Sequence, residues 1–507
     1  MSSCSLRSLG YLTVALAAMQ VGCAAESDQS VPGGGGSGPG NPSTGGKTSS
    51  GGSSTSSGGS SSPATGGTNN TPAGGMSSTG GSSTGGSSHG GSATGGSATS
   101  GGGSSAGGSG PVTNPGAINW GKEEDPSAKC AVTGTLPEFA ALKADGKLPD
   151  PFMKLDGTRI KDKSEWACRR AEIVKQLAKY IYGEKPIPAK GSVSGTVSAT
   201  KISVKVTEGS KTASFDVTVS MNGATAPAPA IITYGAGAPV PSGVAKITLT
   251  AIESTGGSGA KMGPFYTFYG SNHPAGYMVA QAWQVSRIID LLEQMPGTID
   301  ASRIGVTGCS RNGKGAFAGG VFDNRVALTI PCESGIGGTV GLRLKEQLDP
   351  GANDTAEWPY HAISYVRWLS EVSLGPFATA NTAAGDDTDK LPVDMHEAMA
   401  LIAPRALYIV DNPSISNLDP KSAYVTAMAG KAIYKALGVP DNFAYQGAGG
   451  SHCQWRTQYQ ASLDAMIDKF LKGKADTKTG NFATDLSSKP AETMYYTWDT
   501  TELPGKL

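Results

Sequence analysis

Charge is nearly missing from the early part of this 507-residue chain. Between Val31 and Trp120 the one charged residue is Lys47, and large apolar side chains are almost absent as well. Gly, Ser, Thr, Ala, Pro and Asn fill the interval. Such a composition cannot bury enough surface to offset the entropy of ordering. It excludes a packed core there and predicts a Gly/Ser-rich linker over 24–118. A long hydrophobic run is also lacking: Leu9–Met19 is too short to span a bilayer comfortably. There is no basic run and no net charge, since 41 Lys and Arg balance 41 Asp and Glu. Nucleic acid is therefore not expected as a partner, nor is an anionic membrane surface.

What is there begins with an export signal over 1–23. Arg7 supplies the positive n-region and Leu9–Met19 the apolar segment. Val21-Gly22-Cys23 follows and resembles a bacterial lipobox, in which Cys23 is lipidated and becomes the first mature residue. Gln20 departs from that pattern, where an aliphatic residue is usual, so plain secretion is the alternative. In either case the linker would act as a stalk for a domain over 119–507, long enough for a large core. Export implies an oxidising compartment. The domain holds Cys130, Cys168, Cys309, Cys332 and Cys453, and the odd count leaves at least one unpaired.

The domain's patterning is α/β. A helix-like period runs through Trp166, Ile173, Leu177 and Tyr180, with Ser164 placed to cap it. Val193–Asn222 alternates apolar and polar residues about a turn at Glu208-Gly209-Ser210, the pattern of a half-buried hairpin. Short apolar strands then alternate with helices. Strands are expected at 230–234, 303–307, 326–330, 406–410 and 443–446, and helices at 277–294, 317–322, 395–402, 423–437 and 462–471. That alternation predicts a mainly parallel sheet covered on both faces.

The stretch Ile304-Gly305-Val306-Thr307-Gly308-Cys309-Ser310-Arg311-Asn312-Gly313-Lys314-Gly315 carries the most chemical information. A buried strand runs into a serine and then into a Gly-rich helix start, the setting of a nucleophile elbow. The spacing departs from G-x-S-x-G, because position 312 is Asn and the glycine falls at Gly313. His452 lies in Gly449-Gly450-Ser451-His452-Cys453, directly after the last expected strand. That is where the base of an α/β-hydrolase falls. His89 lies in the linker, and His273, His361 and His396 read as core or surface residues. Cys309 precedes the candidate nucleophile and Cys453 follows the candidate base. If the two side chains meet, a disulfide between those cysteines would clamp them; two buried thiols are the alternative. By the same logic Cys130 pairs with Cys168 and Cys332 stays free. The backbone N–H of Arg311 is placed to donate to an oxyanion. Lys314, four residues after Ser310, falls one helical turn on, facing the same pocket.

Gly308-Cys309-Ser310-Arg311-Asn312-Gly313-Lys314 resembles the signature of the glucuronoyl esterases, carbohydrate esterase family 15. The resemblance continues through Tyr266–Gly276, Val285–Leu292, Ile330–Gly338 and Gly450–Gln454, and spans about Cys130 to Leu471. It is closer to the fungal-type enzymes. It implies an α/β-hydrolase that cleaves esters between 4-O-methyl-glucuronic acid on xylan and lignin alcohols, with no metal or organic cofactor. It implies Ser310 as nucleophile, His452 as base and Glu333 as the acid that orients the base. Asp411 and Asp419 compete for the last role, because they follow the strand where most α/β-hydrolases carry their acid. It further implies the Arg311 side chain at the oxyanion, Lys314 on sugar hydroxyls and Glu357 on the uronate hydroxyls. A monomer is expected.

The sequence departs from the family where Asn417-Leu418-Asp419-Pro420 replaces a Trp-Leu-Gly-Pro stretch. That removes an indole from the expected sugar site. A family glutamine upstream of Glu357 has no match, and a third disulfide is missing. Two rival readings stay open: a xylan deacetylase, and a non-catalytic surface carbohydrate-binding protein.

Overall fold

The computed structural model describes residues 123–249, 261–344, 348, 357–364, 366–378 and 387–507. The export signal, Cys23 and the linker expected over 1–118 lie outside them. Among the described residues ten strands form one sheet. They are β1 (Val193–Val197), β2 (Lys201–Glu208), β3 (Lys211–Ser220), β4 (Ala228–Tyr234), β5 (Ala245–Thr248), β6 (Ile299–Cys309), β7 (Val326–Cys332), β8 (Ala406–Asp411), β9 (Phe443–Gly447) and β10 (Phe482–Thr484). Their order is β1-β2-β3-β5-β4-β6-β7-β8-β9-β10. The β1–β2, β2–β3 and β3–β5 pairs are antiparallel; every pair from β5 to β10 is parallel.

Side-chain period explains both halves. In β2 the buried residues Ile202, Val204 and Val206 alternate with outward ones, so that strand hides one face. In β8 every residue is buried, with Leu407 and Ile409 facing one core and Ala406, Tyr408 and Val410 the other. Four long helices pack on the first side: α2 (Tyr277–Gln294), α3 (Arg311–Phe322), α4 (Met395–Ile402) and α5 (Pro420–Ala436). The second side is covered by α6 (Thr457–Phe470), through Tyr459, Leu463, Met466, Ile467 and Phe470. The remaining long helix, α1 (Trp166–Leu177), packs against α4. A mainly parallel sheet covered on both faces is what the alternating strands and helices predict, and the α/β-hydrolase topology is what the resemblance implies.

Local readings needed two corrections. Ser164 is not a cap: the side chain of Asp162 accepts the Ser164 N–H at 2.8 Å, and the helix proper begins at Trp166. The antiparallel limb has a third strand, β1, inside the alternating stretch, and β5 joins it to the parallel half. The helix α2 is buried on nearly every side, including Gln281, Gln284 and Arg287. The antiparallel limb wraps over it, and Gly195 on β1 lies so close that an added Cβ would sit 3.0 Å from Leu291.

Candidate active site

The carboxyl ends of β6, β7 and β8, with the loop after β9, build one site. Ser310 stands between β6 and α3 at φ 58° and ψ −130°, a conformation that L-residues avoid. Its N–H donates to the Cys332 carbonyl at 3.0 Å, and its carbonyl accepts the Lys314 N–H at 3.0 Å. The turn tolerates no Cβ on either flank. One at Gly308 would lie 2.3 Å from the Asn312 oxygen, and one at Gly313 would lie 2.4 Å from the Cys332 oxygen. Sequence spacing left the glycine at 313 unexplained; its reason is this contact with β7.

Glu333 directly follows β7 and also takes a positive φ, 45°. Its Oε2 accepts from His452 Nδ1 at 2.7 Å and from the Cys453 N–H at 2.9 Å. Its Oε1 accepts from Arg456 at 3.1 Å, and Asn412 lies 3.4 Å from Oε2. Burial alone would raise the Glu333 pKa. The hydrogen bonds from His452, Cys453, Arg456 and Asn412 outweigh it and hold the carboxyl below its ordinary value. An ionised Oε2 accepts the proton that Nδ1 carries and leaves Nε2 turned away from the carboxylate. The ring is 42 % exposed while Glu333 is 2 % exposed, so the carboxylate is sheltered and the imidazole is open to solvent. No direct hydrogen bond joins the Ser310 hydroxyl to the ring among the described residues. Such contacts commonly tighten only around a substrate.

Cys309 and Cys453 are bonded, with Cα atoms 5.7 Å apart across 144 residues of sequence. The bond joins the residue before Ser310 to the residue after His452. Cys130 and Cys168 form the other disulfide, and Cys332 is a buried free thiol. Ligand-type atoms of Cys309, Glu333, His452 and Cys453 lie within 4.8 Å of one another. This donor set does not fit a metal, because its two sulfurs are bonded to each other and its imidazole is paired with its carboxylate.

The structure does not bring Asp411 or Asp419 to the imidazole. Asp411 is buried, accepting from the Asn412 N–H at 2.9 Å and the Tyr445 hydroxyl at 3.3 Å. Burial, with a contribution from nearby Glu333, pushes its carboxyl up to about 7. Asp419 caps α5, accepting the Ser422 N–H at 3.2 Å.

Lys314, in the first turn of α3, is fully buried. Its ammonium donates to the Ser334 carbonyl at 2.6 Å and to Glu357 Oε2 at 2.7 Å, and lies 4.2 Å from the Trp368 ring centre. Burial lowers its pKa, with Glu357 opposing. Glu357 also accepts the Ile336 N–H, and its own N–H donates to the Asn417 carbonyl at 2.9 Å. Lys314, Glu357, Trp368 and Asn417 therefore form one polar and aromatic cluster beside the serine turn. Arg311 is exposed at the start of α3. Sequence reading missed Arg456, Asn412 and Trp368. Arg456, four residues past the histidine, had only its nearness in the chain to mark it, and Asn412 and Trp368 belong to no pattern.

A strained serine at a strand-to-helix turn, beside a carboxylate-bonded histidine from the loop after β9, is the arrangement of an α/β-hydrolase of the esterase class. Comparison with known proteins narrows the class. A family model described as "Glucuronyl esterase, fungi" matches residues 204–438. The 4-O-methyl-glucuronoyl methylesterase of Hypocrea jecorina is 37 % identical over 386 residues, 73 % of this chain and 79 % of that one. The enzyme of the same name from Thermothelomyces thermophilus is 39 % identical over 371 residues, 72 % of this chain and 89 % of that one. Among solved structures, the glucuronoyl esterase catalytic domain of Hypocrea jecorina superimposes with a TM-score of 0.66 at 34 % identity, covering 74 % of this chain and all of that one. A Ser-to-Ala mutant of the Sporotrichum thermophile enzyme, in complex with methyl 4-O-methyl-beta-D-glucopyranuronate, gives a TM-score of 0.64 at 37 % identity, covering 70 % and 94 %. The chain belongs to the glucuronoyl esterase family of carboxylic ester hydrolases.

Proposed function

We propose that this chain is a serine esterase that hydrolyses the ester between 4-O-methyl-glucuronic acid of glucuronoxylan and a lignin alcohol. The observation that carries the mechanism is the 2.7 Å bond between His452 Nδ1 and Glu333, on a loop disulfide-bonded to the serine turn. His452 Nε2 takes the Ser310 proton as Oγ attacks the uronate carbonyl. Glu333 stabilises the imidazolium that forms. The Arg311 N–H and guanidinium stabilise the tetrahedral oxyanion, a charge-assisted contact stronger than a neutral donor supplies. His452 then protonates the departing alcohol, and water attacks the acyl-enzyme by the same route reversed. Lys314 and Glu357 bind the uronate hydroxyls, and no cofactor takes part. Bound methyl 4-O-methyl-glucuronate in the Sporotrichum relative supports this substrate class.

Residues 1–23 direct export, and the Gly/Ser-rich stretch over 24–118 tethers a monomeric catalytic domain over 119–507, with Cys23 as a lipid attachment point. No helix among the described residues is long and apolar enough to cross a membrane.

The test is turnover of benzyl glucuronate set against acetylated xylan. The reading requires cleavage of the uronate ester and its loss in Ser310→Ala with the unfolding transition unchanged. Preference for acetylated xylan would redirect it to a deacetylase, and failure to label with a fluorophosphonate would leave a carbohydrate-binding protein.

A further inference from the structure

The loop between β9 and α6 has no ladder to hold it, yet it carries the base. Its carbonyls converge on one side chain. The Arg456 guanidinium donates through Nε to the Gly449 carbonyl at 2.9 Å and through Nη2 to the Ser451 carbonyl at 2.9 Å. Through Nη1 it meets the Gln454 carbonyl, the Tyr459 hydroxyl and Glu333 Oε1, each at 3.1 Å. The three carbonyls bracket His452, two before it and one after. The side chain is 7 % exposed, so these bonds face little competition from water. Gly450 makes the room: a Cβ there would lie 2.6 Å from Nε and 2.8 Å from Nη2.

We propose that Arg456 is a positioning residue of the ester hydrolysis, tying the His452 loop and the Glu333 carboxylate into one unit so that the imidazole is presented to Ser310 at a fixed distance and angle. The proposal rests on the serine-esterase reading. The two carboxylate oxygens divide the task, Oε2 going to the imidazole and Oε1 to the guanidinium. A planar fork can hold a carboxylate and several carbonyls in set directions at once; an ammonium cannot. Charge gives a second consequence. A cation beside Glu333 offsets part of the pull that the carboxylate exerts on an imidazolium, so its loss stabilises protonated His452. The other titratable groups that act on Glu333 are Asp411 on β8, Cys332 on β7 and Tyr459 on α6.

The test compares Arg456→Lys and Arg456→Gln with the wild-type chain on benzyl glucuronate, below every melting transition. Misplacing a base by about 1 Å costs roughly 10²-fold. Both variants should therefore lose kcat by about that factor, with KM within about twofold. Lys keeps the charge, so the acid limb of its kcat/KM profile stays in place; Gln loses it, and that limb moves to higher pH. Gly450→Ala, which crowds the guanidinium from the loop side, should reproduce the loss of kcat if the Arg456 variants do not fold. Unchanged kcat in folded Arg456 variants, an acid limb that stays in place in folded Arg456→Gln, or unchanged kcat in folded Gly450→Ala when the Arg456 variants do not fold, would overturn the proposal. A wild-type chain without turnover would instead overturn the esterase reading on which it stands.

Discussion

Glu333 and His452 are 119 residues apart in the chain, and their side chains meet at 2.7 Å. The contact joins the end of β7 to the loop after β9, across β8. Strand register allows it: the Glu333 N–H donates to the Val410 carbonyl at 2.7 Å, which carries the chain past β8 before the side chain turns toward the histidine.

Replacing that acid tests its role. Glu333→Gln keeps the shape but no longer fixes the imidazole tautomer or stabilises its cation. We expect kcat to fall by about 10⁴-fold, as for the Asp-to-Asn change of a serine-protease triad acid. Steady-state kinetics on benzyl glucuronate would show it, and kcat within about tenfold of wild type would remove Glu333 from the mechanism.

The same residue links stability to pH. Its folded pKa is depressed, so it contributes stability that is present above the ordinary carboxylate value and is lost as pH falls through the depressed one. Thermal unfolding of wild type and Glu333→Gln should differ most at neutral pH and converge in acid.

Asp411 has the opposite sign. A carboxyl raised to about 7 favours its protonated form in the fold, so stability drains away as pH rises from the ordinary carboxylate value through 7. Asp411→Asn should melt above wild type at pH 8 and level with it near pH 4. Equal melting temperatures at pH 8 would contradict that account.

Opening the Cys309–Cys453 bond by double substitution to Ser releases a loop of 144 residues. Chain entropy predicts a loss of about 4–5 kcal/mol. Urea unfolding measures it, and activity should fall as well, because the bond ties the base segment to the serine turn.

Asn417 is exposed, and its carbonyl accepts the Glu357 N–H, so a side chain here borders the Lys314–Glu357 cluster proposed to hold the sugar. An indole face laid on the sugar ring would remove apolar area from water, worth roughly 25 cal/mol per Å². Asn417→Trp should lower KM for a 4-O-methyl-glucuronate ester by about 2- to 10-fold with kcat unchanged. An unaltered KM would separate this position from the sugar.

What could be read along the chain depended on near neighbours. Buried strands such as β6 and β8, the glycine-flanked Ser310 and a histidine just past the last long strand are written in local period and spacing, because backbone geometry dictates those patterns within a few residues. The choice among Glu333, Asp411 and Asp419 was not, since all three lie at or beyond the carboxyl ends of the neighbouring strands β7 and β8. Strand register and the positive φ at Glu333 turn that carboxylate toward the ring, while Asp411 is buried against Tyr445 and Asp419 caps a helix. Arg456 and Trp368 belong to the same second group. Contacts between segments far apart in sequence come into being only when the sheet closes, and no periodicity records them beforehand.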